Sequence, residues 1–372
     1  MSRTSQIMQT VIFAAFIGAG LLLFLLLPKR DFSQQENRYL ASAPSFSFEA
    51  LASGEFTQDF EEYVTDQFPL RDGWITAKAA SELAAGKGQN NGIFLCGGDT
   101  LIEPFTAPES AKLDSAVSAV NALCGNIDVP VFLALVPTAA EIWADALPYG
   151  AANDSQSEII AGIYSAVSAD TVDICSALAA HADEDIFYRT DHHWTTLGAY
   201  YAYAEICAAM GLEPTPLSDY TPRTVTEEFC GTSCSASGFT WVEPDSITVY
   251  AEQGGAVITN YSGGEAAAGT LYDESYLTVK DKYSYFYGGN TPLLTIETEV
   301  RDAPSILIIR DSYMDSLSPF MLDNFSEIHI VDLRYYRLSI AEYIEGNDID
   351  SVLVCYSLAN FCTDTNLFLM GL

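Results

Sequence analysis

Basic side chains are scarce in this chain of 372 residues. Only 16 Lys and Arg residues stand against 50 Asp and Glu residues, and the formal net charge is −34. Because so acidic a surface repels a phosphate backbone, we expect no nucleic-acid partner. Histidine is also scarce, with four in the chain, so there are few places for a histidine base.

Cysteine is too rare for a disulfide scaffold, since the chain holds only eight. Most lie in apolar runs, as Cys207 does, which is typical of buried free thiols. Cys230 and Cys234 differ, because three residues around a glycine separate them and they could close a small disulfide loop in an oxidising compartment. Zinc is the competing interpretation, but no second Cys or His pair with ligand spacing lies nearby. We expect no metal and no cofactor.

Charge is missing altogether from Ile7 to Leu27, a run long enough to span a bilayer. The run ends in three leucines and Pro28 rather than in the small residues of a cleavage site, which favours an uncleaved anchor over a removed signal peptide. The positive charges on the two sides of the run are nearly equal, with the N-terminal amine and Arg3 before it and Lys29 and Arg30 after it, so the positive-inside rule gives little information on its orientation. The segment before the apolar run is short and the chain after it is large and acidic, which favours a location outside the cytoplasm for the larger part. The sequence therefore predicts a single-pass protein of the cell membrane with its main domain outside the cytoplasm.

Apolar runs alternate with helical patterns over much of the remaining chain. Val129–Val136, Ser305–Ile309 and Ser351–Cys355 indicate buried strands, and such strands separated by helices indicate an α/β fold with a parallel sheet. Between them lies a region where Thr, Val and Tyr alternate with Gly and Asn. We therefore predict a membrane anchor at 1–30, a stalk with a helical segment at 31–90, the first part of the α/β domain at 91–234, a β-rich insertion at 235–302 and the second part of the α/β domain at 303–372.

A serine follows one of these strands directly. The strand Ser305–Ile309 runs into Arg310-Asp311-Ser312-Tyr313, and a helical pattern comes next. At such a turn the serine lies at the carboxyl edge of a parallel sheet, and the helix N-terminus offers N–H donors to an oxyanion. Ser312 is therefore a candidate nucleophile, although Asp311 or Ser312 could simply cap the helix.

The base that such a serine needs is predicted in Thr190-Asp191-His192-His193-Trp194. In an extended or turn conformation residues two apart point to the same side, so Asp191 can orient the His193 ring while His192 points away. His192 then has a structural or substrate-lining role. A metal is the alternative for this cluster, but neighbouring histidines rarely share one ion. Trp194 is either a packing anchor or a substrate platform.

The segment from Tyr188 to Thr195, followed by Gly198 and a Tyr-rich helix, resembles the signature of the bacterial DHHW protein family. That family is similar to the SGNH-hydrolase-like alginate O-acetyltransferases. The resemblance covers most of the chain beyond the anchor, through Phe32-Ser33, Glu36-Asn37-Arg38, Asp66–Arg71, Asn91-Gly92-Ile93, Val136-Pro137-Thr138, Phe229–Thr232, Arg310–Tyr313 and Val331–Arg334.

This resemblance implies an SGNH-hydrolase-like parallel sheet flanked by helices and a set of site residues. In the acetyltransferases an Asp-x-His pair precedes the nucleophilic serine, a permuted order that this chain shares. The resemblance thus implies Ser312 as nucleophile, His193 as base and Asp191 as its orienting carboxylate. The candidates for the oxyanion or for substrate binding are Arg334, Asn360, Tyr313, Trp194 and His192. The chain departs from the family pattern at Arg310, ahead of the Asp-Ser pair, and at Cys230, where an aromatic residue is usual.

The implied activity is transfer of an acetyl group, through an acetyl-serine, to a hydroxyl of a cell-surface or secreted polysaccharide. The resemblance also implies a membrane-bound O-acyltransferase partner that delivers the acetyl group across the bilayer. Two alternatives stay open. A carbohydrate acetylesterase would use the same three residues with water as the acceptor, and a non-catalytic envelope scaffold would bind glycans through its acidic, Tyr-rich body.

Overall fold

The computed structural model describes residues 3–372, which fold into two compact units. The first contains the chain up to Asn90 together with Ser235–Thr240, and the second contains Asn91–Cys234 and Trp241–Leu372. Every residue predicted for the site lies in the second unit.

The first unit begins with the apolar helix that the sequence predicts. This helix, α1 (Arg3–Leu26), has no buried residue, and its length and composition suit a membrane span as well as a signal sequence. The elements after it are β1 (Phe32–Ser33), β2 (Arg38–Tyr39), α2 (Phe48–Ser53), α3 (Glu55–Asp66), α4 (Arg71–Ala84) and β3 (Gln89–Asn90).

Residues 31–44, at the start of the predicted stalk, pair with other parts of this first unit. β1 and β2 pair antiparallel. Arg38 donates to the carboxylate of Asp66 at 2.8 Å, and the Ala41 N–H donates to the same carboxylate at 2.9 Å. The hydrogen bond from Arg38 outweighs the burial of Asp66 and holds the pKa of this carboxyl below its ordinary value. A carboxylate that is 3% exposed needs such partners, and the segment folds back to supply them.

The second unit alternates strands and helices along most of its length. Its elements are β4 (Ile93–Leu95), β5 (Leu101–Ile102), α5 (Ser110–Asn126), β6 (Val131–Val136), α6 (Ala139–Ile142), α7 (Gln156–Ala166), β7 (Asp170–Val172), α8 (Ile174–Ala179), α9 (Thr196–Met210), β8 (Arg223–Phe229), α10 (Thr232–Ser237, whose end belongs to the first unit), β9 (Asp245–Val249), β10 (Val257–Ser262), β11 (Glu265–Ala268), β12 (Leu293–Glu297), β13 (Ser305–Arg310), α11 (Met314–Leu317), β14 (Glu327–Val331), α12 (Ile340–Gly346), β15 (Ser351–Ser357) and α13 (Leu358–Thr363). Short 3₁₀ helices lie at Gly97–Asp99, Ala144–Ala146, Leu217–Asp219, Glu274–Thr278, Lys282–Tyr285, Ser318–Asp323 and Leu367–Gly371.

An eight-stranded sheet in the order β11-β10-β12-β14-β13-β15-β6-β7 forms the centre of this unit. β14, β13, β15, β6 and β7 run parallel. Every position of β13 is buried, because Ile306 and Ile308 face one hydrophobic cluster while Leu307 and Ile309 face the other. Coverage of both faces explains the unbroken apolar runs in the sequence. The predicted α/β architecture is therefore present.

The region 235–302, predicted as a β-rich insertion, contributes three strands to this same sheet. β12 pairs antiparallel with β14, with Leu293 opposite Val331, and β10 and β11 continue outward from it. β9 instead pairs with β8 in a two-stranded ladder. Without β12, one side of β14 would be an open edge that could pair with another chain. The sheet is therefore mostly parallel, and the predicted β-rich region adds an antiparallel part to it.

Candidate active site

Ser312 lies on the turn between β13 and α11, at the carboxyl edge of the parallel strands. β13 has parallel neighbours on both sides, so this turn stands in the middle of that edge. Ser312 is partly exposed. Its backbone N–H donates no hydrogen bond to any of residues 3–372. A nucleophile position with an unengaged N–H beside it is suited to an oxyanion.

The neighbouring Asp311 fixes the shape of this turn. Its Oδ2 accepts hydrogen bonds from the N–H of Ser357 at 2.9 Å, the Ser357 hydroxyl at 2.7 Å and the Asn360 side chain at 2.8 Å. Its Oδ1 accepts from the N–H of Tyr313 at 3.1 Å. These four donors satisfy a carboxylate that is 2% exposed. Asn360, predicted for the oxyanion or substrate, is thus directed at Asp311.

A chain of hydrogen bonds connects Ser312 to His193 and Asp191. The Ser312 Oγ lies 2.7 Å from the Nε2 of His193, and the Nδ1 of His193 lies 2.6 Å from the Oδ1 of Asp191. An ionised carboxylate only accepts hydrogen bonds, so Nδ1 carries a proton and Nε2 of the neutral ring accepts from the serine hydroxyl. The structure thus brings together the three residues that the sequence suggested as nucleophile, base and orienting carboxylate.

A tight reversal of the chain aims the carboxylate and the imidazole at the same side. An antiparallel bridge joins Phe187 to Trp194 across this reversal. α9 begins directly afterwards, and the hydroxyl of Thr195 caps it by accepting from the N–H of Gly198 at 3.3 Å. A Cβ at Gly198 would lie 2.3 Å from the carbonyl oxygen of Ile186, so only glycine lets the helix begin this close to the turn.

Four donor groups hold the carboxylate of Asp191. Oδ1 accepts from the backbone N–H and the ring of His193, while Oδ2 accepts from the N–H of Thr232 at 2.7 Å and its hydroxyl at 2.9 Å. Burial alone would raise the pKa of Asp191, but the charges of His192 and His193 and these hydrogen bonds hold the pKa well below its usual range. Gly231 permits this approach, because a Cβ there would lie 2.3 Å from Asp191.

Tyr283 completes the surroundings of the imidazole, and it was not among the predicted residues. Its ring stacks on that of His193 with centroids 3.9 Å apart and planes at 8°. Its hydroxyl donates to the carbonyl oxygen of Ser312 at 3.1 Å. Tyr283 lies in a Tyr-rich part of the region 235–302, where no local signal distinguishes it from its neighbours.

The sequence profile of the DHHW protein family matches residues 78–331, more than half of the chain. The chain belongs to the DHHW family. The family prediction made from the sequence is confirmed. A solved DHHW family protein from Eubacterium siraeum superposes with a TM-score of 0.68 at 28% identity, and the match covers 76% of this chain and 95% of that chain.

This DHHW protein also shares its fold with PatB1 of Bacillus cereus, solved with a sulfonyl adduct. That match has a TM-score of 0.61 at 20% identity and covers 74% of this chain and 97% of that chain. The O-acetyltransferase domain of Pseudomonas putida AlgJ is more distant, with a TM-score of 0.46 at 14% identity over 73% of this chain and 93% of that chain. This last likeness is too weak to bear on function. No curated protein matches the sequence.

His192, the first histidine of the DHHW motif, makes its hydrogen bond away from Ser312. Its Nδ1 lies 2.6 Å from the hydroxyl of Thr232, and 41% of its side chain is exposed. Desolvation and the charge of His193 lower the pKa of His192 to about 4. Asp191, His192 and His193 place ligand atoms within 4.8 Å of one another. Because Asp191 and Ser312 engage both ring nitrogens of His193, a metal there would have to displace the hydrogen-bond chain.

Trp194 and Tyr313 pack beneath the site of this DHHW protein. Trp194 is fully buried, and its Nε1 donates to the carbonyl oxygen of Tyr313 at 2.9 Å. Tyr313 is equally buried, and its hydroxyl donates to the carbonyl oxygen of His192. These contacts fasten the serine turn to the histidine turn. Such burial favours a packing anchor for Trp194, whereas Tyr313 also lines the cavity beside the site. The substrate contacts predicted for the two residues stay predictions.

The two arginines beside the serine turn face carboxylates. Arg334 donates to Asp332 from Nε at 2.9 Å and from Nη2 at 2.6 Å, and within residues 3–372 no hydrogen bond joins it to Ser312. Arg310 is 3% exposed and lies 3.0 Å from Asp315. Burial raises the pKa of Asp315 to about 6, against the charge of Arg310. Arg334 is thus paired with Asp332, and the oxyanion role that the family resemblance implies for it stays a prediction.

A disulfide closes the loop that carries Thr232, the residue that donates two hydrogen bonds to Asp191. Cys230 and Cys234 are joined with their Cα atoms 6.0 Å apart. The Nζ of Lys280 donates to the carbonyl oxygen of Cys230 at 2.6 Å. Cys207 and Cys355 are free and buried, as expected of thiols in apolar runs.

A cavity of about 370 Å³ adjoins the site. Asp191, His192 and Asn360 line part of it, and Leu101 and Phe105 supply apolar walls. Mixed lining of this kind is typical of small-molecule sites. The cavity offers a substrate group space beside the hydrogen-bond chain.

Proposed function

We propose that this DHHW protein is a serine O-acyltransferase that moves an acetyl group onto a hydroxyl of a cell-surface or secreted polysaccharide. The observation that carries the proposal is the chain from Ser312 through His193 to Asp191, with distances of 2.7 and 2.6 Å. A hydroxyl, a neutral imidazole and an ionised carboxylate in this order form an activated nucleophile.

In the first half-reaction, the Nε2 of His193 takes the hydroxyl proton of Ser312 while the serine Oγ bonds to the acetyl carbonyl carbon. The carbonyl oxygen becomes negative and accepts a hydrogen bond from the Ser312 N–H. Asp191 stabilises the imidazolium formed in this step. The bond between the acetyl carbon and the donor oxygen then breaks, and His193 returns the proton to that oxygen. The product is acetyl-Ser312.

In the second half-reaction, a sugar hydroxyl attacks acetyl-Ser312. His193 takes the proton of that hydroxyl, and the sugar oxygen bonds to the acetyl carbon. The bond from this carbon to the serine Oγ breaks, and His193 gives the proton back to Oγ. The protein returns to its starting state, and the polysaccharide carries a new acetyl ester.

The choice of acetyl and polysaccharide rests on the family resemblance and the N-terminal helix. Asp191 and His193 precede Ser312 in the chain, which is the permuted order of the SGNH-like alginate O-acetyltransferases. α1 is long and apolar enough to hold the protein at a membrane. An anchored body outside the cytoplasm would receive acetyl groups from a membrane-bound O-acyltransferase partner and meet a polymer at the envelope.

An acetylesterase is the second candidate, because Ser312 is partly exposed and water can approach it. Esterase and transferase share the first half-reaction and differ only in the acceptor. Full-length protein in detergent, supplied with an activated acetyl ester and then with polysaccharide acceptors, separates them. Acetylated polysaccharide supports the transferase, whereas unchanged hydrolysis with every acceptor supports the esterase.

A sulfonyl fluoride tests the nucleophile, since PatB1 has been solved with a sulfonyl adduct. We expect covalent labelling of the full-length protein at Ser312, measured by peptide mass spectrometry. Ser312→Ala should lose both labelling and acetate release. Ser246→Ala, at an exposed position of β9, is the matched control and should keep both. Labelling elsewhere, or acetate release at the wild-type rate by Ser312→Ala, contradicts the proposal.

A further inference from the structure

We propose that Thr232 and His192 form a second arm of hydrogen bonds on Asp191, and that this arm positions the carboxylate against His193. The role rests on the proposed function, because the arm acts on Ser312 only through Asp191 and His193. Thr232 and His192 are therefore positioning residues. The arm also gives a reason for two adjacent histidines in the motif.

Proton positions along the arm follow from two short distances. The Oδ2 of Asp191 can only accept, so the Thr232 hydroxyl, 2.9 Å away, donates its single proton to it. The same hydroxyl must then accept from the Nδ1 of His192 at 2.6 Å, and this nitrogen carries a hydrogen. His192 thus keeps the Thr232 hydroxyl directed at the carboxylate. Without that donor, the hydroxyl is free to rotate toward water.

The arm covers the Oδ2 side of Asp191. Thr232 and His192 are both exposed residues, whereas Asp191 beneath them is 3% exposed. Hydrogen bonds to an ionised carboxylate are stronger than neutral ones, and they gain further where water is excluded. Fixed donors on Oδ2 replace mobile water. Oδ1 therefore stays aimed at the Nδ1 of His193.

The loop that carries Thr232 is fixed to the histidine turn. The disulfide between Cys230 and Cys234 closes the loop around Thr232. The N–H of Gly231 donates to the hydroxyl of Thr190 at 3.2 Å, and the N–H of Cys234 donates to the carbonyl oxygen of Thr190 at 3.0 Å. Because Thr190 directly precedes the carboxylate residue, the threonine and the carboxylate are held in one rigid frame.

The first test compares Thr232→Val with Thr232→Ser in the full-length protein. Val keeps the shape of Thr without the hydroxyl, whereas Ser keeps the hydroxyl. We expect Thr232→Val to lower kcat about 10- to 100-fold with little change in KM, as for partners that orient a reacting group. Thr232→Ser should restore most of this loss. Thr224→Val, at an exposed position of β8, is the matched control and should behave as wild type.

A second pair of variants probes the donor on the arm. His192→Asn keeps an N–H close to the place of Nδ1, whereas His192→Phe removes it. We expect His192→Asn to retain more activity than His192→Phe. Equal losses in the two, or equal losses in Thr232→Val and Thr232→Ser, would mean that side-chain size rather than the hydrogen bonds matters, which overturns the proposal.

A readout without turnover separates this inference from the proposed function. The His193 Nδ1 proton in its hydrogen bond to Asp191 should give a proton resonance well downfield of the amide region. In Thr232→Val this resonance should move upfield and exchange faster with water, and in Thr232→Ser it should not. An unchanged resonance and an unchanged kcat in Thr232→Val would refute the arm. A shifted resonance in a protein that shows no acyl transfer would refute the enzyme and leave the arm standing.

Discussion

Two buried histidines of this protein stand beside carboxylates, but within residues 3–372 the partner of one is a serine hydroxyl and that of the other a tyrosine hydroxyl. His193 and His329 are 5% and 6% exposed. The ring nitrogens of His193 lie 2.6 Å from Asp191 and 2.7 Å from Ser312. Those of His329 lie 2.7 Å from the Tyr343 hydroxyl and 3.4 Å from Glu327. Burial and a nearby acid are therefore not enough to define a catalytic base.

The carboxylates differ more than the histidines do. The side chain of Glu327 is 52% exposed, so solvent screens its interaction with His329. That of Asp191 is 2% exposed and has four donors. His329 also lies within β14, whereas His193 lies on a turn at the carboxyl edge of the sheet, next to the serine turn. Position in the fold and a fixed carboxylate set the two apart.

The strongest test of this difference exchanges each histidine for glutamine. His193→Gln removes the proposed base, and kcat/KM for an activated acetyl ester should fall about 10⁴-fold or more. His329→Gln should stay within about twofold of wild type, since its effects are on stability. Steady-state kinetics on the two full-length variants give the answer. Similar losses in both would erase the distinction.

The two carboxylates form the next pair. Asp191→Asn should lower kcat/KM by about 10³- to 10⁴-fold, because an amide has no negative charge to stabilise the imidazolium and its NH₂ can donate to Nδ1 and favour the wrong tautomer of His193. Glu327→Gln should leave kcat/KM unchanged, since its side chain is largely in solvent. The same ester assay measures both variants. Retention of most activity by Asp191→Asn would show that His193 does not depend on this carboxylate.

Local patterns in the sequence are sufficient to predict the parts of the site that are continuous in the chain. Ser312 follows an unbroken apolar strand, and the two-residue spacing of Asp191 and His193 fixes their common side. Thr232 and Tyr283 come to the site from separate segments of the chain. No periodic pattern in the sequence predicts that these segments meet the site. Thr232 lies in one of the segments that resemble the family, which is a usable signal, whereas no sequence signal distinguishes Tyr283.

Long-range pairing also explains where the sequence-based expectations differ from the fold. Alternating Thr, Val and Tyr in the region 235–302 indicate strands but not their partners, so the antiparallel extension of the sheet by β12 was not foreseen. For Arg334, the oxyanion role implied by the family resemblance stays a prediction. Its ion pair with Asp332, two residues earlier, depends on the shape of the turn after β14, which composition does not specify.

The pH dependence of stability tests the burial of His329 directly. Burial lowers the pKa of His329, against the raising effect of Glu327. Below the ordinary His value of about 6.5, the unfolded chain takes up a proton that the folded protein resists, so the free energy of unfolding falls as the pH drops. The lowered pKa of His192, about 4, acts with the same sign in the same upper window, and the lowered pKa of Asp191 acts with the same sign below about pH 4.

His329→Gln should therefore reduce the loss of stability between about pH 6.5 and pH 5, while the contribution of His192 in that window and the loss below about pH 4 remain. Urea unfolding at a series of pH values measures this dependence. Wild-type and variant curves that run parallel through the upper window would show that His329 does not contribute to it. A change confined to the lower window would assign the effect to the carboxylates instead.

The smallest contrast concerns the tyrosine that accompanies each histidine. Tyr283→Phe keeps the ring stacked on His193 but removes the hydroxyl that binds the carbonyl oxygen of Ser312. A lost neutral hydrogen bond of about 1 kcal/mol corresponds to a fall in kcat of about fivefold. Tyr343→Phe leaves the Nδ1 of His329 without its partner and should reduce the free energy of unfolding by about 1 to 2 kcal/mol, with kcat unchanged. Kinetics and urea unfolding measured on both variants should show a lower kcat for Tyr283→Phe and a lower free energy of unfolding for Tyr343→Phe. A lower kcat for Tyr343→Phe with an unchanged kcat for Tyr283→Phe would contradict a catalytic role for His193 and its surroundings.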